Sequence, residues 1–163
     1  MEPEHDGRHD FDFIIGSWQS TNRKRVRPLV AGDDEWVEFA SELEAWPVLA
    51  GLGNAERFLA HAFPGRPGFE GFTLRAFEPA TRLWRIWWTS SLATGRFDDP
   101  VVGGFEDGVG RFECEDVVDG VPLRVRYDWT DIAADSITWT QSFSFDGGAA
   151  WDANWVTRST RVA

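Results

Sequence analysis

Apolar and polar side chains alternate with a period of two along most of the chain. The clearest stretch is 137–145, where Ile137, Trp139, Gln141 and Phe143 fall on one face and Thr138, Thr140, Ser142 and Ser144 on the other. This period is typical of a half-buried β-strand. Asp146-Gly147-Gly148 then supplies a tight turn, and alternation resumes from Trp151. The pattern predicts a β-hairpin near the end of the chain.

Similar alternation, punctuated by Gly, Pro and Asp, predicts further strands before this hairpin. They cover residues 17–27, 54–62, 71–78, 82–91, 101–106, 109–117 and 121–130, with a loop at 64–68. Residues 9–16 predict one short helical turn that ends at Gly16. Residues 1–8 are expected to form a disordered leader, and residues 9–163 a single domain.

Residues 34–46 fit two patterns. As a helix, Trp36, Phe39, Ala40 and Leu43 would share a face at positions i, i+3, i+4 and i+7. As a strand, Phe39, Leu43 and Ala45 would face inward and the intervening glutamates outward. The strand is favoured because its neighbours are all β and a lone helix would need a sheet face to cover.

About ten short strands joined by tight turns form a meander whose two edges must be protected, and closure into a barrel removes both edges. We therefore predict an all-β fold, an antiparallel up-and-down barrel of about 8–10 strands. A two-sheet sandwich is the competing architecture. A barrel of this size holds its own side chains and one small ligand.

Composition limits the classes of partner that the protein is expected to bind. The net charge of -11 argues against nucleic acid and against an anionic membrane, since both favour basic surfaces. The three histidines lack metal-ligand spacing, and no cofactor motif is present, so no metal and no cofactor are expected. A single cysteine, Cys114, and the lack of a signal-peptide pattern indicate a cytoplasmic protein. Sixteen basic residues include one lysine, Lys24, which is typical of a GC-rich bacterial genome. A homodimer is compatible with the sequence.

Gly16-Ser17-Trp18, at the start of the first predicted strand, resembles the Gly-x-Trp signature of the calycin superfamily, which includes lipocalins and fatty-acid-binding proteins. The resemblance implies that Trp18 packs across a closed barrel end, with Arg158 or Arg161 from the last strand lying over it. The chain also resembles an uncharacterised bacterial family of small lipocalin-like barrels, in motifs that span most of residues 9–161: His9-Asp-Phe-Asp-Phe13, Gly51-Leu-Gly-Asn54, Thr73-Leu-Arg-x-Phe77, Pro100-Val-Val-Gly103, Phe105-Glu-Asp-Gly108, Gln141-x-Phe-Ser144 and Asp146-Gly-Gly-x-x-Trp-x-x-Asn-Trp155. That resemblance implies a fold and carries no activity.

Polar residues interrupt the aromatic runs. Aromatic residues make up 15% of the chain and include ten tryptophans, which fits either aromatic core packing or an aromatic-lined pocket. Gln141 is the strongest candidate for a polar ligand contact, because a buried amide must find hydrogen-bond partners. An inward carboxylate beside Arg75 would be a candidate acid–base group. The predicted ligand-binding residues are Arg75, Trp88, Arg126, Trp139, Gln141, Asn154 and Trp155.

These residues predict a barrel that binds one small, mostly apolar or aromatic molecule in its cavity. Two alternatives remain open. One is a cofactor-free enzyme, a cyclase or isomerase, that uses the same cavity and polarises a carbonyl. The other is a structural or interaction module whose interior is filled by its own side chains. No catalytic residue is identified from the sequence.

Overall fold

A computed structural model describes residues 5–162 of the chain. Its ten antiparallel strands form one closed barrel, in which each strand pairs with its sequence neighbours and the last pairs with the first. The predicted all-β up-and-down barrel is confirmed. The strands are β1 (Gly16–Arg25), β2 (Trp36–Val48), β3 (Gly53–Phe63), β4 (Arg66–Glu78), β5 (Leu83–Ser90), β6 (Val101–Glu106), β7 (Val109–Val118), β8 (Val121–Thr130), β9 (Ser136–Ser144) and β10 (Asp152–Arg161).

The structure decides between helix and strand for residues 36–48. They form β2, whose Phe39, Ser41 and Leu43 are buried while the residues between them are exposed. β2 pairs with β1 on one side and β3 on the other, so its backbone hydrogen bonds are made within the sheet. The loop predicted at 64–68 is shorter in the structure: β3 ends at Phe63 and β4 begins at Arg66, with Gly65 turning the chain at a φ of 72°.

A 3₁₀ turn over Asp12–Ile14 closes one end of the barrel. Ile14 is buried at this end, and its carbonyl accepts a hydrogen bond from Trp18 Nε1 at 2.9 Å. The Arg161 guanidinium lies 4.1 Å from the Trp18 ring centroid and donates to the carbonyls of Phe13 and Ile15. The expected arginine over Trp18 is therefore Arg161. Arg158 is exposed.

Residues 1–4 of the predicted leader lie outside the described residues. Among residues 5–8, the Gly7 carbonyl accepts a hydrogen bond from Trp84 Nε1 at 2.9 Å. Trp84 is 2% exposed, so this contact ties the N-terminal segment to the core. Within residues 5–162, no helix has the length and apolar character to cross a membrane.

β5 and β6 share fewer residue pairs than any other two adjacent strands of the barrel. Only three residue pairs join these strands, from Trp84↔Gly103 to Ile86↔Val101. β5 continues to Ser90 without β6 beside it, and residues 91–100 cross this gap. The Asp98 amide donates to the Trp88 carbonyl at 2.8 Å, which holds the crossing segment against β5.

Candidate functional site

A cavity of about 140 Å³ lies inside the barrel. Its lining is buried near the closed end, where Ile14, Ile86 and Ile137 contribute. Elsewhere in the lining, Trp88, Trp139, Gln141 and Trp155 are half-buried and Asp98 is exposed. Six aromatic side chains line it: Phe58, Trp88, Tyr127, Trp129, Trp139 and Trp155.

The volume sets the size of a guest. An engineered apolar cavity of about 150 Å³ holds a benzene molecule. The cavity of this barrel is close to that volume, so its buried part fits one six-membered ring. A longer molecule would have to extend past the half-buried side chains.

An ion pair lies in the cavity wall. Arg75 Nη2 donates to Glu56 Oε2 at 2.7 Å, and Nη1 donates to Asn54 Oδ1 at 2.8 Å. Register explains the meeting: Arg75 pairs with Asn54 on β3, and Glu56, two residues further, shares its inward face. The Arg75 guanidinium also lies 5.2 Å from the Phe11 ring centroid and 5.4 Å from that of Trp129.

One guanidinium nitrogen of Arg75, Nε, is unpaired. Its side chain is nearly inaccessible, and its Nε has no hydrogen-bond partner among the described residues. Leaving a buried donor unpaired costs about 1–3 kcal/mol. Because Arg75 lines the cavity, an acceptor atom on a guest molecule is the kind of group that would satisfy it. Arg75 was predicted from the sequence; its partners Glu56 and Asn54 were not.

Gln141 and Asn154 meet across β9 and β10. Gln141 Nε2 donates to Asn154 Oδ1 at 2.8 Å. The register of β10 shifts between Ala153 and Trp155, and this bulge inserts Asn154 beside its inward-facing neighbour. Asn154 is 1% exposed, and its Nδ2 has no partner within the described part of the chain. Gln141 lines the cavity, and Asn154 holds its side chain through this hydrogen bond from outside the lining.

A polar strip on β1, β2 and β10 was missed by the sequence analysis. Asn22 Oδ1 accepts from Trp155 Nε1 at 3.1 Å and from Thr157 Oγ1 at 2.8 Å, and Asn22 Nδ2 donates to Ser41 Oγ at 2.8 Å. Asn22 thereby fixes the ring of Trp155, a cavity residue. The signal was present in the alternation of Trp18, Ser20 and Asn22 on one face, which places small polar residues inside.

Arg126 lies apart from the other predicted ligand-binding residues. Val125 and Tyr127 face inward, so Arg126 lies on the outer face of β8 and does not line the cavity. Its guanidinium donates to Glu113 and lies 3.8 Å from the Trp151 ring centroid. The other six predicted residues lie at the cavity: Arg75, Trp88, Trp139, Gln141 and Trp155 in its lining and Asn154 against Gln141. That they contact a ligand stays a prediction.

Burial sets the protonation of two groups near the gap in the wall. It raises the pKa of Tyr127 well above its ordinary value, with the Asp98 carboxylate adding to the effect. The phenol therefore stays protonated and can donate a hydrogen bond. Burial, followed by the charge of Asp116, raises the pKa of the Cys114 thiol to about 12. Cys114 is thus a poor nucleophile at neutral pH.

Metal binding finds no support in the described residues, since no group of three or more His, Cys, Asp or Glu side chains is arranged to hold an ion. The cavity lining offers two carboxylates (Glu56 and Asp98), the Arg75 guanidinium, an amide, a phenol and several hydroxyls among aromatic rings.

Comparison with known proteins gives a fold and no family. No protein-family model matches the sequence, and no curated protein matches it significantly. Rv2717c from M. tuberculosis is structurally similar, with a TM-score of 0.62 and 12% identity over 96% of this chain and 98% of that one. The S-type phycobiliprotein lyase CPES from Guillardia theta has a TM-score of 0.61 and 10% identity over 100% and 98%. A redesigned β-barrel has a TM-score of 0.51 and 12% identity over 96% of both chains. At these identities the likeness concerns the fold alone.

Proposed function

We propose that this protein binds one small, mostly apolar or aromatic molecule inside its barrel. The observation that carries the proposal is an aromatic-walled cavity of about 140 Å³ that contains the buried Arg75 with an unpartnered Nε. An unpaired buried donor costs stability, so an acceptor in the cavity that met Arg75 Nε would remove that cost. A guest with an acceptor atom supplies the missing partner.

The preferred guest has one ring and one hydrogen-bond acceptor. The ring matches the buried volume and packs against aromatic faces, where offset or edge-to-face contacts are worth about 0.5–1.5 kcal/mol each. A carbonyl oxygen is the simplest acceptor for Arg75 Nε. Tyr127, Gln141 and Trp155 line the same space and would fix the orientation of the guest.

Titration with neutral one-ring compounds, such as acetophenone and benzamide, tests this proposal by calorimetry and by tryptophan fluorescence. Thr73 lines the cavity and is buried, so Thr73→Leu should fill part of it and weaken binding about tenfold or more. Thr140→Leu makes the same change on the outward-facing side of β9 and should leave binding unchanged. Absence of binding by the wild type, or equal binding by Thr73→Leu, would refute the proposal.

Gln141→Leu tests the amide contact separately. The variant removes the donor to Asn154 Oδ1 and leaves a buried acceptor unpaired, so a loss of about 1–3 kcal/mol in the free energy of unfolding is expected. Weaker binding of amides, with unchanged binding of pure hydrocarbons such as toluene, would assign Gln141 to orientation. Unchanged binding of both would remove it from the site.

A cofactor-free isomerase or cyclase is the second candidate. The specific observation in its favour is Glu56, a buried carboxylate in the cavity lining that is held by Arg75. Such a carboxylate is a candidate base for abstracting a proton next to a carbonyl. Exchange of the α-protons of phenylacetone in D₂O, followed by NMR, tests this role. Exchange that is catalysed by the wild type and lost in Glu56→Gln would favour the enzyme; equal exchange in both would leave a binding protein.

The remaining expectations extend this proposal. We infer kinship with the calycin superfamily from the Gly-x-Trp motif and the Arg161–Trp18 contact within a closed barrel. A cytoplasmic location is proposed from the single cysteine. The homodimer remains a prediction that sedimentation equilibrium tests.

A further inference from the structure

Lys24, the single lysine of the chain, lies on the inner face of the barrel. It continues the inward series of β1, in which Ser20 and Asn22 are buried. In the sheet it stands directly opposite Trp155 of β10, and its Nζ lies 5.2 Å from the Trp155 ring centroid. Trp155 lines the cavity. The ammonium group therefore lies beside the guest site, toward the end opposite the 3₁₀ turn.

Two cationic side chains thus face the interior, and they differ in their partners. Arg75 has its counter-ion inside the wall, since Glu56 Oε2 lies 2.7 Å away. Lys24 has no carboxylate partner among the described residues, and its contact is the indole face of Trp155. A desolvated charge is normally paired. Burial lowers the pKa of Lys24, as expected for an ammonium group removed from water without a nearby anion.

We propose that Lys24 is the counter-ion for an acidic guest, so that the natural ligand is a small aromatic carboxylate or a similarly sized organic acid. This inference rests on the proposed binding function and names the chemical class of the ligand. The ring of the guest occupies the cavity beside Trp155, and its carboxylate meets Lys24 Nζ. The guanidinium of Arg75 is already neutralised by Glu56, so the acid group is recognised at Lys24 and not at Arg75.

The two residues adjacent to Lys24 on β1 are also cationic, and the exposed carboxylate of the cavity lining is Asp98. Arg23 and Arg25 flank Lys24 on the outer face of β1, where both guanidinium groups lie over the Trp36 ring at 4.8 and 5.1 Å. Arg23 is paired with Glu38 at 3.7 Å, which leaves Arg25 as the outer charge that adds to the positive potential around Lys24 in a protein whose net charge is -11. Interactions over a few ångströms are screened little by salt, whereas the net charge acts over longer distances and is screened.

The test compares 3-phenylpropionate with its neutral amide, 3-phenylpropanamide, which has nearly the same size. Calorimetry gives the ratio of the two dissociation constants for each variant. For the wild type the acid should bind about tenfold more tightly than the amide, as a charge-assisted contact at a half-buried site requires. Lys24→Gln should bring this ratio near one, and Lys24→Arg should preserve it.

Arg23→Gln is the matched control, because it removes the same charge one residue away on the outer face of β1. It should retain the wild-type ratio, and the melting temperatures of all variants are measured alongside. A Lys24→Gln protein that still prefers the acid would overturn the inference, as would a wild type that binds both compounds equally. A wild type that binds both compounds equally would still support the proposed binding of a small molecule in the cavity. If the wild type binds neither compound nor the neutral one-ring set, the proposed function fails together with the inference.

Discussion

The buried ion pair between Arg75 and Glu56 allows the sharpest test of how the interior is held. Arg75→Met and Glu56→Leu each remove one charge and leave the other in the cavity wall, and the double variant removes both. The pair is nearly inaccessible, with side-chain exposures of 3% for Arg75 and 8% for Glu56. Because water cannot replace the lost partner, each single change should leave an unpaired buried charge. The two single losses in the free energy of unfolding should therefore add up to more than the loss in the double variant.

The magnitude follows from this burial. Removing one partner of a buried pair costs about 3–5 kcal/mol, whereas replacing both by apolar groups is often close to neutral. Asn54 Oδ1 loses the donor Nη1 in the double variant, which adds about 1–3 kcal/mol. We therefore expect the double variant to lose less than the two single variants together. The coupling energy should be at least about 3 kcal/mol.

An outer ion pair of the same length provides the control. Arg111 Nε lies 2.8 Å from Asp128 Oδ1, but Arg111 is 56% exposed. The same cycle on this pair should give a coupling below about 1 kcal/mol. Free energies of unfolding come from urea titration followed by tryptophan fluorescence. Equal coupling energies in the two cycles would contradict the reasoning, since burial would then contribute nothing to the Arg75–Glu56 interaction.

Three further outcomes are expected. Gly16 has a φ of 126°, and a Cβ there would lie 2.5 Å from Arg161 Nη1, so Gly16→Ala should lower the free energy of unfolding by about 1–3 kcal/mol in urea titration. Ala50 has a φ of 54° in an exposed turn, so Ala50→Gly should raise the melting temperature, whereas Ala40→Gly in β2 should lower it. The folded protein keeps the Cys114 proton, with a pKa of about 12, that the unfolded chain releases from about pH 8.5. Stability should therefore fall as pH rises from 8.5 toward 12, and Cys114→Ala should reduce that fall in urea titrations at pH 8 and 10.

The fold was predictable because alternation and turn sequences are local signals. Residues 121–130 form β8 with the predicted bounds, since Asp119-Gly120 marks its start and inward residues alternate with arginines along it. Closure was predictable from the edge argument, and the Gly16-Ser17-Trp18 resemblance correctly placed Trp18 beneath an arginine. Boundaries at 63–66 were less accurate because Pro64 and Gly65 turn the chain within fewer residues than a loop rich in Gly and Pro suggests.

The Glu56–Arg75 pair could not be predicted from the sequence, for a different reason. Glu56 belongs to a strand in which exposed and buried residues are both charged: Arg57 is exposed and Glu56 is 6% exposed. Alternation alone does not say which of two adjacent charges faces inward, and the register that brings Asn54 opposite Arg75 joins residues 21 apart. The sequence suggested an inward carboxylate beside Arg75 as a candidate acid–base group but did not identify it as Glu56.

The bulge in β10 shows how one inserted residue alters the cavity wall. Strict alternation from Trp151 would place Asn154 on the outer face, opposite Trp155. The register shift between Ala153 and Trp155 instead buries Asn154, so that two successive residues of β10 face the interior. Asn154 then holds Gln141, and Trp155 stands opposite Lys24. An amide contact and a cationic contact therefore lie on either side of one indole, which gives the guest site polar groups at two positions along an otherwise aromatic wall.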